Sequence, residues 1–137
     1  MDPNCKICNK HHYAVPLLIY QDDRWIIRHS DLLINCPGYL YVEPKEHIID
    51  FNDFSKKKLL GDLGRLYKIG IDWIFSNFKP LKIYTVNISE VVQHIHFHLI
   101  PRYSDELKGL DYIKKILTSD LPMMSEENVQ KILKLFP

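Results

Sequence analysis

The chain reads as an α+β fold with a mainly antiparallel sheet of about five strands. Three observations predict it. Short runs rich in β-branched and aromatic residues, broken by turn residues, fill the first third of the sequence. One central stretch changes to a helical period. Two more strand-like runs follow, and the second holds "VVQHIHFHLIPR", in which three histidines alternate with apolar residues.

Taken in order, "VPLLIYQDDRWIIRHS" gives two β-rich runs around Gln21, Asp22 and Asp23, a hairpin. In "CPGYLYVEP", Pro37 and Gly38 make a turn, a strand runs from Tyr39 to Val42, and Pro44 should end it. "NDFSKKKLLGDLGRLYKIGIDWIFSNFKP" then reads as one long helix. Leu59, Leu60, Leu63, Tyr67, Gly70, Ile71 and Ile74 share a side of it, Asp53 or Ser55 caps its start, and Pro80 lies just past its end. Gly61, Gly64 and Gly70 either weaken this helix or let something pack close. "KIYTVNIS" and "HIHFHLIPR" are the last two strands, and a helical tail follows, from about Leu107 to Leu117 and from Ser125 to Leu135.

With 137 residues, 46% hydrophobic and 26% charged, the chain is expected to form one domain over residues 1–137. A formal net charge of +1 gives no electrostatic footprint for nucleic acid. The apolar runs are too short to span a bilayer. "MDPNCKICNK" has no apolar signal core, so the three cysteines are expected to be reduced and the protein cytoplasmic.

On a strand, His94, His96 and His98 fall on one face and Ile95, Phe97 and Leu99 on the other. Histidine titrates near neutral pH, so a row of imidazoles suits nucleophilic attack, proton transfer, phosphate contact or metal binding. Plain surface histidines are the alternative. Two histidines at i, i+2 can share a zinc, but a third along a straight strand reaches that ion poorly. Cys5 and Cys8 have the spacing of a thiolate metal site, with His11 and His12 nearby as possible ligands. Cys36 and His29 read as ordinary structural residues.

"HIHFHLIPR" resembles the His-φ-His-φ-His-φ-φ motif (φ apolar) of the histidine triad, or HIT, superfamily. "PGYLYVEPKEH" resembles its Pro-Gly-His-x-Leu-Val-x-Pro-Lys-x-His segment, and "CKIC" its N-terminal Cys-x-x-Cys. The resemblance covers about residues 5–102, and the tail, about 103–137, matches nothing. It implies a HIT-like fold and a homodimer. It also implies a nucleotide hydrolase or nucleotidyl transferase acting on dinucleoside polyphosphates or nucleoside phosphoramidates. By motif position His96 is the nucleophile that forms a nucleotidyl-histidine, and His98 contacts the phosphate or leaving group. A structural zinc would be held by Cys5, Cys8, His47 and His94. Asp31, six residues before Pro37, would contact the ribose. Trp25 and Ile27 are candidates for a base pocket or for the core. There are departures. The motif's Pro-Gly-His reads Pro37-Gly38-Tyr39, and a phosphate-binding glutamine is replaced by Glu90. Lys45 and Arg102 are candidate counter-charges for Glu90. The loop before the triad is short, with six residues between Asn87 and His94. The rival reading is a zinc-stabilised nucleotide-binding or regulatory module with little turnover.

Overall fold

A computed structural model describes residues 1–137. The sheet holds five antiparallel strands: β1 (Leu18–Gln21), β2 (Trp25–His29), β3 (Leu40–Pro44), β4 (Lys82–Val86) and β5 (Phe97–Arg102). Their spatial order is β1-β2-β3-β5-β4. The first hairpin closes on Asp22, whose Oδ1 accepts from the amides of Arg24 and Trp25 at 2.9 and 2.8 Å. This is the side-chain turn chemistry that favours Asp there. Pro44 pairs with Trp25 as the last residue of β3, a terminal position that proline tolerates.

The central helical stretch is not one helix. α2 (Phe51–Lys56) is followed by a 3-10 turn (Leu60–Asp62) and then by α3 (Leu63–Asn77). Asp50, not Asp53 or Ser55, caps α2 by accepting from the Asp53 amide at 2.8 Å. The break falls where Lys58 takes a left-handed φ of 63°. α3 has no side-chain cap, because Asp62 accepts instead from the Trp25 indole at 2.8 Å.

Trp25, Ile27, Leu40, Val42, Phe97 and Leu99 pack with Leu66 and Ile74 of α3 in the main core. Leu66 is the central contact of the helix that the spacing overlooked, while Leu60 is largely exposed. Gly70 lets α3 lie against the sheet: a Cβ there would meet Leu99 Cδ1 at 2.6 Å. Gly61 and Gly64 face open space. The tail forms α4 (Gly109–Leu117) and α5 (Glu126–Leu133), and the Ser125 hydroxyl accepts from the Asn128 amide. α4 packs on the far side of the sheet with Tyr39 and Ile100. No helix is long and apolar enough to cross a membrane.

One further helix went unread in the sequence. α1 (Lys6–His12) begins at the Cys-x-x-Cys, where Cys5 Sγ accepts from the Cys8 amide.

Candidate metal centre and histidine cleft

Only His98 of the three alternating histidines lies within β5; His94 and His96 belong to the extended segment that enters it. The alternation still holds, because Ile95, Phe97 and Leu99 all enter the core beneath α3. The entering segment is held from two sides. The Ile95 amide donates to the Ile48 carbonyl at 2.8 Å, which brings His94 beside His47. On the other side the short loop supplies side chains in place of a strand. Asn87 Nδ2 donates to the His96 carbonyl at 2.8 Å, and the His96 amide donates to Ser89 Oγ at 3.1 Å. Ser89 itself takes a left-handed φ of 55°, a sparsely populated conformation for a residue with a side chain.

His94 is buried and turns toward the cysteines. Its Nδ1 lies 3.6 Å from Cys5 Sγ, 3.5 Å from Cys8 Sγ and 3.3 Å from His47 Nδ1. Cys8 Sγ lies 3.5 Å from His47 Nδ1. Zinc at ordinary bond lengths sets tetrahedral edges of about 3.5 Å between S and N and about 3.3 Å between N and N. The four atoms, all within 4.8 Å of one another, therefore have the spacing of a zinc tetrahedron. Two bare Nδ1 atoms cannot both be satisfied by facing each other, whereas a shared cation satisfies both. The outer contacts agree: His94 Nε2–H donates to the Pro44 carbonyl at 2.7 Å, and His47 Nε2 lies 3.5 Å from the Asp2 carboxylate. Such partners fix the tautomer that leaves Nδ1 for a metal. Burial pushes the His94 imidazole down to about 4, so it stays neutral, as a ligand must. Cys5, Cys8, His47 and His94 fit a closed, structural zinc with no open position. His11 is not part of the set; its Nε2 lies 3.0 Å from Glu43 Oε1. His12 is exposed beside Tyr13.

His96 faces the other way. Its Nδ1–H donates to the His94 carbonyl at 2.7 Å, which leaves Nε2 bare. Its ring lies 4.8 Å from that of His98, centroid to centroid. His98 is nearly buried, and Tyr39, the residue in place of the motif's histidine, meets its Nδ1 at 2.6 Å. The Tyr41 hydroxyl is a second side-chain partner of Tyr39; with Tyr39 donating to Nδ1, His98 presents Nε2–H. Burial, reinforced by His96, holds His98 down at about 4 and keeps it neutral.

The two imidazoles line a cleft with two lobes. One is walled by Ile88, Ser89, Glu90, Val91, Val92 and Leu117. The other is walled by Lys6, Lys10, Arg28, Tyr41 and Glu43. Beneath the second lobe Arg28 binds Glu43 through two hydrogen bonds of 2.8 and 2.9 Å and lies 4.5 Å over the Tyr41 ring. Burial acts to raise the Glu43 carboxyl, but the His11 hydrogen bond and the Arg28 charge prevail and hold it at about 2.

The other sequence candidates divide. Glu90 lies at the cleft, exposed. Neither expected counter-charge meets it: Arg102 binds the Ser104 carbonyl and the Asp105 carboxylate, and Lys45 lines hollows beside Asp23, Arg24 and Glu46 and makes no ion pair with Glu90. Asp31 is exposed in a turn, where its Oδ1 accepts from the Leu33 amide. Trp25 and Ile27, both at 0% exposure, are core residues under α3 and do not reach the cleft, so the base-pocket expectation is corrected. Cys36 is buried, as expected. His29 is a buried brace that donates to the Ser30 carbonyl and accepts from the Gly38 amide. That brace holds the Pro37-Gly38 turn, where Gly38 takes a φ of 84°. The residues that sequence reasoning missed are Lys6, Lys10, Arg28 and Glu43; no local pattern in the sequence marks them, because α1 and the two strands meet at the cleft only through the fold.

No family model matches the sequence. Solved structures do match. A hypothetical histidine triad nucleotide-binding protein of Sulfolobus tokodaii superposes with a TM-score of 0.65 at 20% identity, over 96% of this chain and 88% of its own. A Zn-bound histidine triad family protein of Mycobacterium smegmatis gives 0.67 at 18%, over 94% and 88%. A HIT family hydrolase of Clostridium thermocellum gives 0.61 at 23%, over 80% and 99%. At these identities the likeness is one of fold, and the chain has the fold of the histidine triad superfamily, with a Cys-x-x-Cys at positions 5 and 8.

Proposed function

We propose that the chain is a nucleotide hydrolase or nucleotidyl transferase that acts at the α-phosphate of dinucleoside polyphosphates or nucleoside phosphoramidates through His96. The observation that carries the reading is the bare Nε2 of His96, set at the cleft by the Nδ1–H bond to the His94 carbonyl. The nucleotide-binding and hydrolase descriptions of the Sulfolobus and Clostridium neighbours support it.

In this reading the Nε2 lone pair attacks the α-phosphorus. An N–P bond forms as the bond to the leaving oxygen or nitrogen breaks, and the leaving group departs with the electron pair and takes a proton from solvent. The imidazole becomes formally cationic, which strengthens its bond to the His94 carbonyl. Neutral His98 donates Nε2–H to a non-bridging oxygen, where charge develops. Water then attacks phosphorus and gives up a proton to solvent, the N–P bond breaks with its electron pair returning to Nε2, a nucleoside monophosphate leaves, and His96 returns to its starting form. One difficult displacement is thus divided into two. Glu90 and Asp31 are exposed acceptors for substrate hydroxyls or amines. A zinc held by Cys5, Cys8, His47 and His94 would supply no chemistry at the cleft and would anchor α1 and His94. The reading carries with it a homodimer, which light scattering at micromolar concentration tests.

The central experiment is an acid quench of the enzyme with labelled nucleotide, followed by peptide mass spectrometry. A nucleotidyl adduct on His96 is the expected result. Tight nucleotide binding with neither adduct nor turnover would instead leave a zinc-stabilised binding module.

A further inference from the structure

The two lobes of the cleft differ in charge. The lobe walled by Ile88, Val91, Val92 and Leu117 carries only Glu90. The lobe beside α1 carries Lys6, Lys10, Arg28 and Glu43. Arg28 and Glu43 neutralise each other in their bidentate pair, and His11 adds a further contact to Glu43. The neighbouring metal centre adds little charge, because two thiolates balance a zinc ion. The lobe's net positive charge therefore comes from Lys6 and Lys10. They lie four residues apart on α1 and so share one helical face. Neither lysine has an acidic partner within ion-pair distance, unlike Lys57, Lys68 and Lys108 elsewhere on the surface. Two unpaired ammonium groups beside two imidazoles make a lobe for an anion longer than one phosphate.

We propose that Lys6 and Lys10 bind the phosphate chain of the leaving group, so that the enzyme favours substrates whose leaving group is a polyphosphate over those whose leaving group is an amine. The inference rests on the reading of His96 as the reacting group, and it names the substrate class that the lysine lobe selects. The lysines are contact residues for the departing chain. They belong to a helix whose cap, Cys5, and first turn, with Cys8, carry both cysteine ligands of the metal centre, so the same segment that closes the zinc site also supplies the lobe's charge.

The test uses the zinc-loaded protein and the double variant Lys6→Gln with Lys10→Gln. Both positions are exposed, so the fold should persist, and an unchanged zinc content and melting temperature check this. Inorganic tripolyphosphate is titrated calorimetrically into each. The wild type should bind it, more weakly as salt is raised, and the variant should bind at least about tenfold more weakly, the size of effect expected for losing charge-assisted contacts. Kinetics should show kcat/KM falling by about tenfold or more for a dinucleoside tetraphosphate and staying within about twofold for a phosphoramidate with a neutral amine. Equal tripolyphosphate affinity in the two proteins, no binding by the wild type, or equal kinetic losses on both substrates would each overturn the proposal. Lysine-dependent tripolyphosphate binding with no turnover of any nucleotide would instead sink the reading of His96 and leave the lobe's ligand standing.

Discussion

His94 and His96 are two residues apart on one segment, yet their imidazoles are set in opposite senses. His94 gives its Nε2–H to the Pro44 carbonyl and turns Nδ1 toward two cysteines and His47. His96 gives its Nδ1–H to the His94 carbonyl and leaves Nε2 at the cleft. The same side chain is set for metal binding or, in the proposed reading, for nucleophilic attack, according to which nitrogen a backbone carbonyl occupies. The difference lies in the placement of acceptors, so neighbouring residues of identical type can diverge within one pleat.

The sharpest way to break the comparison is to remove one imidazole and the metal partners of the other. His96→Ala should lower turnover by several orders of magnitude, as loss of a nucleophile does, while zinc content and melting temperature stay unchanged. A rate near wild type on the best substrate would refute the role. At the other imidazole the loss should appear in folding. Cys5→Ala with Cys8→Ala should remove about one zinc per chain, read by metal analysis, and lower the melting temperature, since structural zinc contributes folding energy directly. An equally stable, metal-free double variant would contradict the tetrahedron.

His98 sharpens the comparison through pH. Its pKa is depressed from 6.5 to about 4 in the folded protein, so the unfolded chain binds the extra proton first. The stabilisation from keeping His98 neutral is present above about pH 6.5 and is lost as pH falls toward 4, to a total of the order of 3 kcal/mol. Denaturant unfolding of His98→Gln should lack that share of the acid-side slope; an identical slope would mean that His98 is not held neutral. Gly70→Ala tests the frame beneath both histidines, and the clash with Leu99 should cost about 1–3 kcal/mol. Glu90→Gln is the smallest effect. A neutral donor at the cleft should raise the rate on dinucleoside polyphosphates by less than about tenfold. Kinetics within twofold for every nucleotide would make Glu90 a plain solvent residue.

The sheet and the triad were legible because a period of two puts histidines and core residues on opposite faces, and Ile95, Phe97 and Leu99 obey it. The cysteine half of the zinc set was legible from its spacing, but the histidine half only through resemblance; nothing local in "KEHIID" marks His47 as a partner of Cys5. α1 was missed because seven largely polar residues have no amphipathic period and the helix starts from a cysteine cap. The split between α2 and α3 was hidden because the apolar spacing runs through it, while the break depends on the backbone of Lys58 and on a side-chain bond that draws Asp62 toward Trp25. Trp25 and Ile27 show the limit of alternation: it shows that two residues share a face, not which face meets solvent.

The three cysteines make the protein its own metal gauge. Cys36 is buried, its thiol is pushed up to about 12 by burial, and it donates to the Pro101 carbonyl, so alkylating reagents should pass it by. Cys5 and Cys8 are buried too, but at the start of the short α1 segment that the ion would tie down, so loss of the ion should let them open to reagent. A native thiol count should therefore read none in the loaded protein and two after chelation. An oxidant reaching the emptied site would meet two sulfurs already side by side.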